Sequence, residues 1–126
     1  MESRVLFVSP YRPDVAHLAA MIEDSVEHVT CLTEARNQLQ TGHFAVVLTE
    51  AALDDGTWHD VLRVVGQVSP ATQVVVTDSF ATDRLWAEAL SYGAYDLLVQ
   101  PFQQAEVRRI LSSAASHPAR ARATGA

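Results

Sequence analysis

Gly93-Ala94-Tyr95-Asp96-Leu97-Leu98-Val99-Gln100-Pro101-Phe102 holds a helix stop, an apolar strand and a turn in one stretch. Gly93 closes the amphipathic segment before it, because glycine tolerates the left-handed backbone that ends a helix. The apolar run predicts a strand over 95–99. It stops at a polar residue followed by proline, which lacks the N–H a strand interior needs. The same plan recurs upstream. Val5-Leu6-Phe7-Val8 stops at Ser9-Pro10, Val46-Val47-Leu48-Thr49 at Glu50, and Val74-Val75-Val76-Thr77 at Asp78.

Helix-period segments separate these runs. Pro13 suits a first helical turn, with Val15, Leu18, Ala19 and Ile22 expected on one face. A weaker β-branched run predicts a second strand over 28–32. Thr33-Glu34 opens a short helix carrying Ala35 and Leu39, with Gly42 as its stop. The third strand is expected over 44–49, followed by a turn at Asp54-Asp55-Gly56. Thr57 caps a helix with Val61, Leu62, Val64, Val65 and Val68 as its stripe, and Pro70 ends it. After a fourth strand over 73–77, Thr82 caps a helix expected to turn Leu85, Trp86, Ala89 and Leu90 inward. A last helix over 103–113 carries Val107, Ile110 and Leu111. Strand–helix alternation repeated five times means a parallel sheet with helices on both faces, a doubly wound α/β domain. We expect a domain over 1–113 and a flexible tail or linker over 114–126.

The chain has 126 residues, enough for one domain with a real core. Its net charge of −6 argues against direct nucleic-acid binding. No apolar run reaches the roughly 18–20 residues of a membrane helix, and no signal-peptide pattern is present. Cys31 is the only cysteine, so neither an internal disulfide nor a cysteine-rich zinc site can form. These features together predict a cytoplasmic protein that does not enter a membrane. All nine basic residues are arginine, and the absence of lysine excludes chemistry that needs an ε-ammonium or a Schiff base. No glycine-rich phosphate loop occurs, and the five histidines have no i, i+4 pair that would suit a metal.

Residues 93–102 resemble the G-A-x-D-Y-L-x-K-P-F segment of bacterial response-regulator receiver domains, the CheY-like, flavodoxin-like (βα)5 family. Leu48-Thr49-Glu50-Ala51-Ala52-Leu53-Asp54-Asp55-Gly56 resembles the stretch around that family's phosphoacceptor aspartate. The resemblance runs from about Arg4 to Leu111 and implies a five-stranded parallel sheet of order 2-1-3-4-5. It further implies two-component phosphorelay signalling in a bacterium, with an acidic pair that holds Mg²⁺, an acceptor Asp, a Ser or Thr, and a Lys before a cis proline. Metal and lysine neutralise charge in phosphoryl transfer, which is mainly electrostatic work. On that template the acidic pair falls on Ser9 and Pro10, the acceptor on Glu50, the hydroxyl on Asp78, the lysine on Gln100 before Pro101, and the switch aromatic on Leu97. All five functional positions depart from the pattern.

Each departure has a sharp and a plain reading. Glu50 can place its charge nearer to where a phosphoryl group would sit, or be a solvated carboxylate at a strand end. Asp78 can face Glu50, in which case Arg12, Arg84 or a metal must join the two like charges. The plain alternative turns it outward to cap the next turn. Gln100 cannot neutralise a phosphate but can hydrogen-bond a carboxylate. Leu97 simply packs. The face of the fourth helix, fifth strand and fifth helix offers Asp83, Arg84, Glu88, Asp96, Arg108 and Arg109, both signs together, as suits a two-fold homodimer. The expectation is therefore a receiver without catalytic residues, enzymatic activity, cofactor or bound metal. It would act as a phosphorylation-independent module on a partner protein or a fused effector domain. The rivals are a divalent-metal-dependent phospho-acceptor using Glu50 and Asp78, and a small-molecule sensor at the strand-end cleft.

Overall fold

The computed structural model describes residues 4–22, 25–80 and 82–119, with the backbone alone for 12–14. Its elements in chain order are β1 (Arg4–Val8), α1 (Arg12–Met21), β2 (Ser25–Val29), α2 (Leu32–Thr41), β3 (Val46–Glu50), β4 (Ala52–Leu53), β5 (Gly56–Thr57), α3 (Trp58–Val68), β6 (Gln73–Asp78), α4 (Asp83–Ser91), β7 (Asp96–Val99) and α5 (Gln104–Ser116). The main sheet is parallel with order β2-β1-β3-β6-β7. Counting only its five strands, this is the expected 2-1-3-4-5. β4 and β5 form a separate two-stranded antiparallel hairpin around the Asp54-Asp55 turn.

Strand alternation sorts the core into two layers. Leu6, Val8, Val47, Val74, Val76 and Leu97 pack with Ala35 and Leu39 of α2, the α3 stripe, and Ala89 of α4. Val5, Phe7, Val46, Leu48, Val75 and Leu98 pack with Leu18 of α1 and Val107, Ile110, Leu111 and Ala114 of α5. Helices therefore cover both faces, as a buried parallel sheet requires.

Several boundaries differ from expectation. β2 is Ser25–Val29 rather than 28–32, because pairing Val8 with Val29 leaves Thr30 and Cys31 to lead into α2. Its outer position leaves Ser25 and Glu27 exposed, so it has no continuous apolar run to announce it. Ala19 is exposed, one residue round from the buried Leu18. In α4 only Ala89 is buried and Leu85 half-buried. Trp86 and Leu90 are 48% and 37% exposed, each about 100° round the helix from that narrow i, i+4 stripe. The last helix runs to Ser116, three residues past 113, because Ala114 belongs to the core. Beyond it, Gln73 donates to the His117 carbonyl and the Ala119 N–H to the Ala71 carbonyl. Ordered packing thus continues past 113. Residues 120–126 of the expected tail lie outside the described residues.

Caps hold the helices in place. Thr57 and Asp60 form a reciprocal capping box at α3. A Cβ at Gly56 would lie 2.7 Å from the Asp60 carboxylate, so a larger residue there must displace that capping side chain. Thr82 caps α4 by accepting from the Leu85 N–H. Gly93 adopts φ 103°, the left-handed conformation expected at the α4 stop.

Asp55, from the β4–β5 turn, accepts from the Leu32 and Thr33 N–H groups at 2.8 and 3.2 Å and so caps α2 across the molecule. Those donors hold its carboxyl below the ordinary aspartate value of 3.8. Asp55→Ala is expected to cost about 1 kcal/mol. Because the folded-state value is the lower one, the wild-type advantage is complete above the ordinary aspartate range. It fades as pH falls through the folded value. Urea unfolding of both proteins at pH 7 and under strongly acidic conditions checks this: the gap closes in acid.

Candidate functional site

Four side chains meet at the carboxyl end of the sheet, where sites of open α/β folds lie. They continue the rows that face α1 and α5. Ser9 follows Val5 and Phe7, Glu50 follows Val46 and Leu48, Thr77 follows Val75, and Gln100 follows Leu98. Gln100 Nε2 donates to Glu50 Oε1 and Oε2, both at 2.9 Å, and to Thr77 Oγ1 at 3.2 Å. Ser9 Oγ donates to Glu50 Oε1 at 3.3 Å. Both carboxylate oxygens act as acceptors. Ser9 and Thr77 are fully buried and Glu50 is 7% exposed. Glu50 is therefore not the solvated strand-end carboxylate of the plain reading.

The backbone supports this cluster. The Gln100 N–H donates to the Asp78 carbonyl at 3.1 Å, and the Ala51 N–H to the Thr77 carbonyl at 3.1 Å. The Gln100–Pro101 bond is cis, as the resemblance implied. Ser9 is held by its N–H to the Val29 carbonyl at 3.0 Å, and its own carbonyl lies 2.7 Å from His28 Nε2. His28, from the edge strand, also sets its ring 6.2 Å from that of Phe7.

Asp78 does not face Glu50. Glu50 pairs with Thr77 and Asp78 with Val99, and adjacent strand residues point to opposite faces. The hydroxyl that reaches the site is Thr77's, so one of the five positions read as altered keeps its chemistry. Among the described residues the Asp78 carboxylate has no hydrogen bond or ion pair. Of the cations considered for it, Arg84 makes none either, and the Arg12 side chain lies outside the described residues. No group of three His, Cys, Asp or Glu able to hold a metal occurs among the described residues. Pro10 follows Ser9 at a half-buried bend and offers no ligand atom on its side chain. Leu97 is buried on the opposite row, in the α2–α3–α4 layer.

The expected interaction face is only partly assembled. Asp83, Trp86, Asp96, Val99, Glu106 and Arg109 line a shallow groove of about 350 Å³ between α4, β7 and α5. The Trp86 indole N–H donates to Asp96 Oδ1 at 3.2 Å. Arg84 is exposed on α4. Glu88 turns away, toward α3, where its carboxylate meets His59 Nε2 at 3.1 Å. Arg108 also leaves the face, donating to the Met21 carbonyl of α1 at 2.8 Å. The 100° step between helical neighbours sends Arg108 and Arg109 to different sides of α5. Trp58, by contrast, is buried, stacked on His59 and edge-on to Tyr92.

No protein-family model matches the chain. It is 30% identical over 81 residues to the response regulator protein PilR of Pseudomonas aeruginosa, covering 64% of this chain. The chain spans only 18% of that relative's length. Among solved structures it superimposes on the signal receiver domain of a putative LuxO repressor protein from Vibrio parahaemolyticus with a TM-score of 0.84. Sequence identity there is 18%, over 92% of both chains. The beryllofluoride-activated NtrC4 receiver domain dimer gives a TM-score of 0.83 at 22% identity, over 90% of this chain and 96% of that one. The receiver domain of the sensor histidine kinase PA1611 from Pseudomonas aeruginosa, solved with magnesium in its active-site cleft, gives 0.80 at 18%, over 92% and 99%. Sheet order, the row of strand-end side chains and these superpositions agree that the chain has the fold of the CheY-like receiver domains of two-component response regulators.

Proposed function

We propose that this receiver domain works without phosphorylation and catalyses no reaction, acting as an interaction module for a partner protein or for an effector domain in the same polypeptide. The observation that carries this reading is the pair of 2.9 Å hydrogen bonds from Gln100 to both oxygens of Glu50. An acceptor carboxylate must present a lone pair to phosphorus in line with the leaving group, with cations at hand to take up the developing charge. Here the amide and the Ser9 hydroxyl engage the carboxylate, and no lysine exists in the chain to supply a cation. The metal-assisted rival needs Glu50 and Asp78 on one side of the sheet, and alternation separates them. Among the described residues no helix is long and apolar enough to cross a membrane.

The surface we assign to this work is the α4–β7–α5 face. Trp86 and Val99, 48% and 49% exposed, give it an apolar centre, and Asp83, Asp96, Glu106 and Arg109 give it a rim of both signs. Exposed tryptophan with a charged rim is the composition of an interface hot spot. A second copy of the chain satisfies such a rim by two-fold symmetry, and the NtrC4 receiver was solved as a dimer. Sedimentation across a wide micromolar range is expected to show self-association that is the same with and without Mg²⁺ and a small phosphodonor. Trp86→Glu should abolish it while leaving the circular dichroism unchanged. Association that appears only with the phosphodonor contradicts the proposal. A monomer throughout assigns the face to a different protein.

A further inference from the structure

We propose that the cavity beside Gln100 binds a small, neutral, ring-bearing ligand that donates an N–H hydrogen bond to the Gln100 amide oxygen. The cavity has a volume of about 450 Å³ and is lined by His17 and Met21 of α1, Ser79 after β6, and Gln100, Pro101 and Phe102. That size lies within the range of small-molecule pockets. Its walls divide into an apolar set (Met21, Pro101, Phe102) and a polar set (His17, Ser79, Gln100), the mixture such pockets use for affinity and orientation.

The chemical class follows from how Gln100 is held. The two ends of a glutamine amide are told apart only by their partners. Here two carboxylate oxygens fix Nε2 toward Glu50, so the orientation is determined. Oε1 therefore points away from Glu50, and among the described residues nothing donates to it. It is a pre-oriented acceptor with its rotamer already fixed, which lowers the entropic cost of binding. The His17 ring and the Ser79 hydroxyl likewise make no hydrogen bond among the described residues and can serve a second polar atom on the ligand. A buried carboxylate one side chain away disfavours an anion. The ligand is accordingly an uncharged ring with an amide-like or heterocyclic N–H. Its binding would also connect a bound molecule to Glu50 through one amide group. The site rests on the same Gln100–Glu50 contact as the proposed function, but ligand binding and phosphoryl uptake are read by different experiments, so each reading can fail alone.

Benzamide is the probe, followed by heteronuclear NMR on the full chain. N,N-dimethylbenzamide keeps the ring and carbonyl but has no donor, and benzoate replaces the amide with an anion. Benzamide is expected to shift the Gln100 side-chain NH₂, the Met21 methyl and the Phe102 ring signals saturably in the millimolar range. The two controls should bind about tenfold more weakly, the cost of leaving the acceptor unmatched. Ser79→Tyr, an exposed position that fills the cavity, should abolish the shifts with the rest of the spectrum retained. Equal binding of benzamide and N,N-dimethylbenzamide overturns the proposal. So does the absence of saturable shifts at these residues, or shifts that survive Ser79→Tyr.

Discussion

Gln100→Leu is expected to destabilise the domain by about 2–4 kcal/mol, a fall in Tm of roughly 6–15 °C. Leucine, one atom shorter and without polar atoms, removes both 2.9 Å hydrogen bonds to a carboxylate only 7% exposed, and the one to Thr77. The loss exceeds that of an average hydrogen bond because two bonds to one buried carboxylate go together. Glu50→Leu removes the charge itself and should cost less. In the double variant the carboxylate that Gln100→Leu leaves under-bonded is gone, so its cost should fall below the sum of the two single changes. The cycle of Gln100→Leu, Glu50→Leu and the double variant, measured by urea unfolding, should return a coupling of about 1.5–3 kcal/mol. Additive single effects would mean that amide and carboxylate are mere neighbours.

Phe7→Ala is expected to cost about 3–5 kcal/mol, the largest effect of any single change considered. Phe7 is fully buried in the middle of the central strand β1, in the layer that α1 and α5 cover. Its ring stands edge-on to Phe102 with centroids 6.2 Å apart, and at the same distance from His28. Alanine at this position leaves a cavity between two helices and three strands. Phe102 also loses the support that places it beside Gln100 and Pro101 at the end of β7. Phe7→Leu, which keeps most of the volume, should cost no more than about 1.5 kcal/mol. A thermal melt of both variants checks the contrast. Similar small losses would place Phe7 outside the tightly packed core.

Much of this architecture was legible in the chain, and the parts that were not share a cause. The interior strands announce themselves because both faces are buried: 5–8 is an unbroken apolar run, and 46–48 and 74–76 are apolar up to a buried threonine. β2 was misplaced by three residues because an edge strand buries little and reads as alternating polarity. Trp86 and Leu90 were expected inward because they are large and apolar, yet a nine-residue helix on a sheet edge buries only the stripe through Leu85 and Ala89. At the site, Glu50 and Gln100 were found from their strand ends, and the amide–carboxylate contact between them is the one their chemistry allowed. Thr77 escapes the template because a loop and a helix separate β6 from Gln100, and one residue of difference there changes which side of the sheet is named. Alternation held the better signal, since Val75 and Thr77 must share a face. Glu88 and Arg108 failed for the same reason: membership of a helix does not fix a face, and their partners, His59 and the Met21 carbonyl, come from distant elements.

The proposed amide–carboxylate clamp predicts that Glu50 takes up no phosphoryl group. Intact-mass spectrometry after incubation with acetyl phosphate and excess Mg²⁺ tests it most directly, with Glu50→Gln run alongside. No phosphoryl adduct on either protein is the expected result. An acid-labile phosphoryl adduct that forms on the wild type and disappears in Glu50→Gln would contradict it.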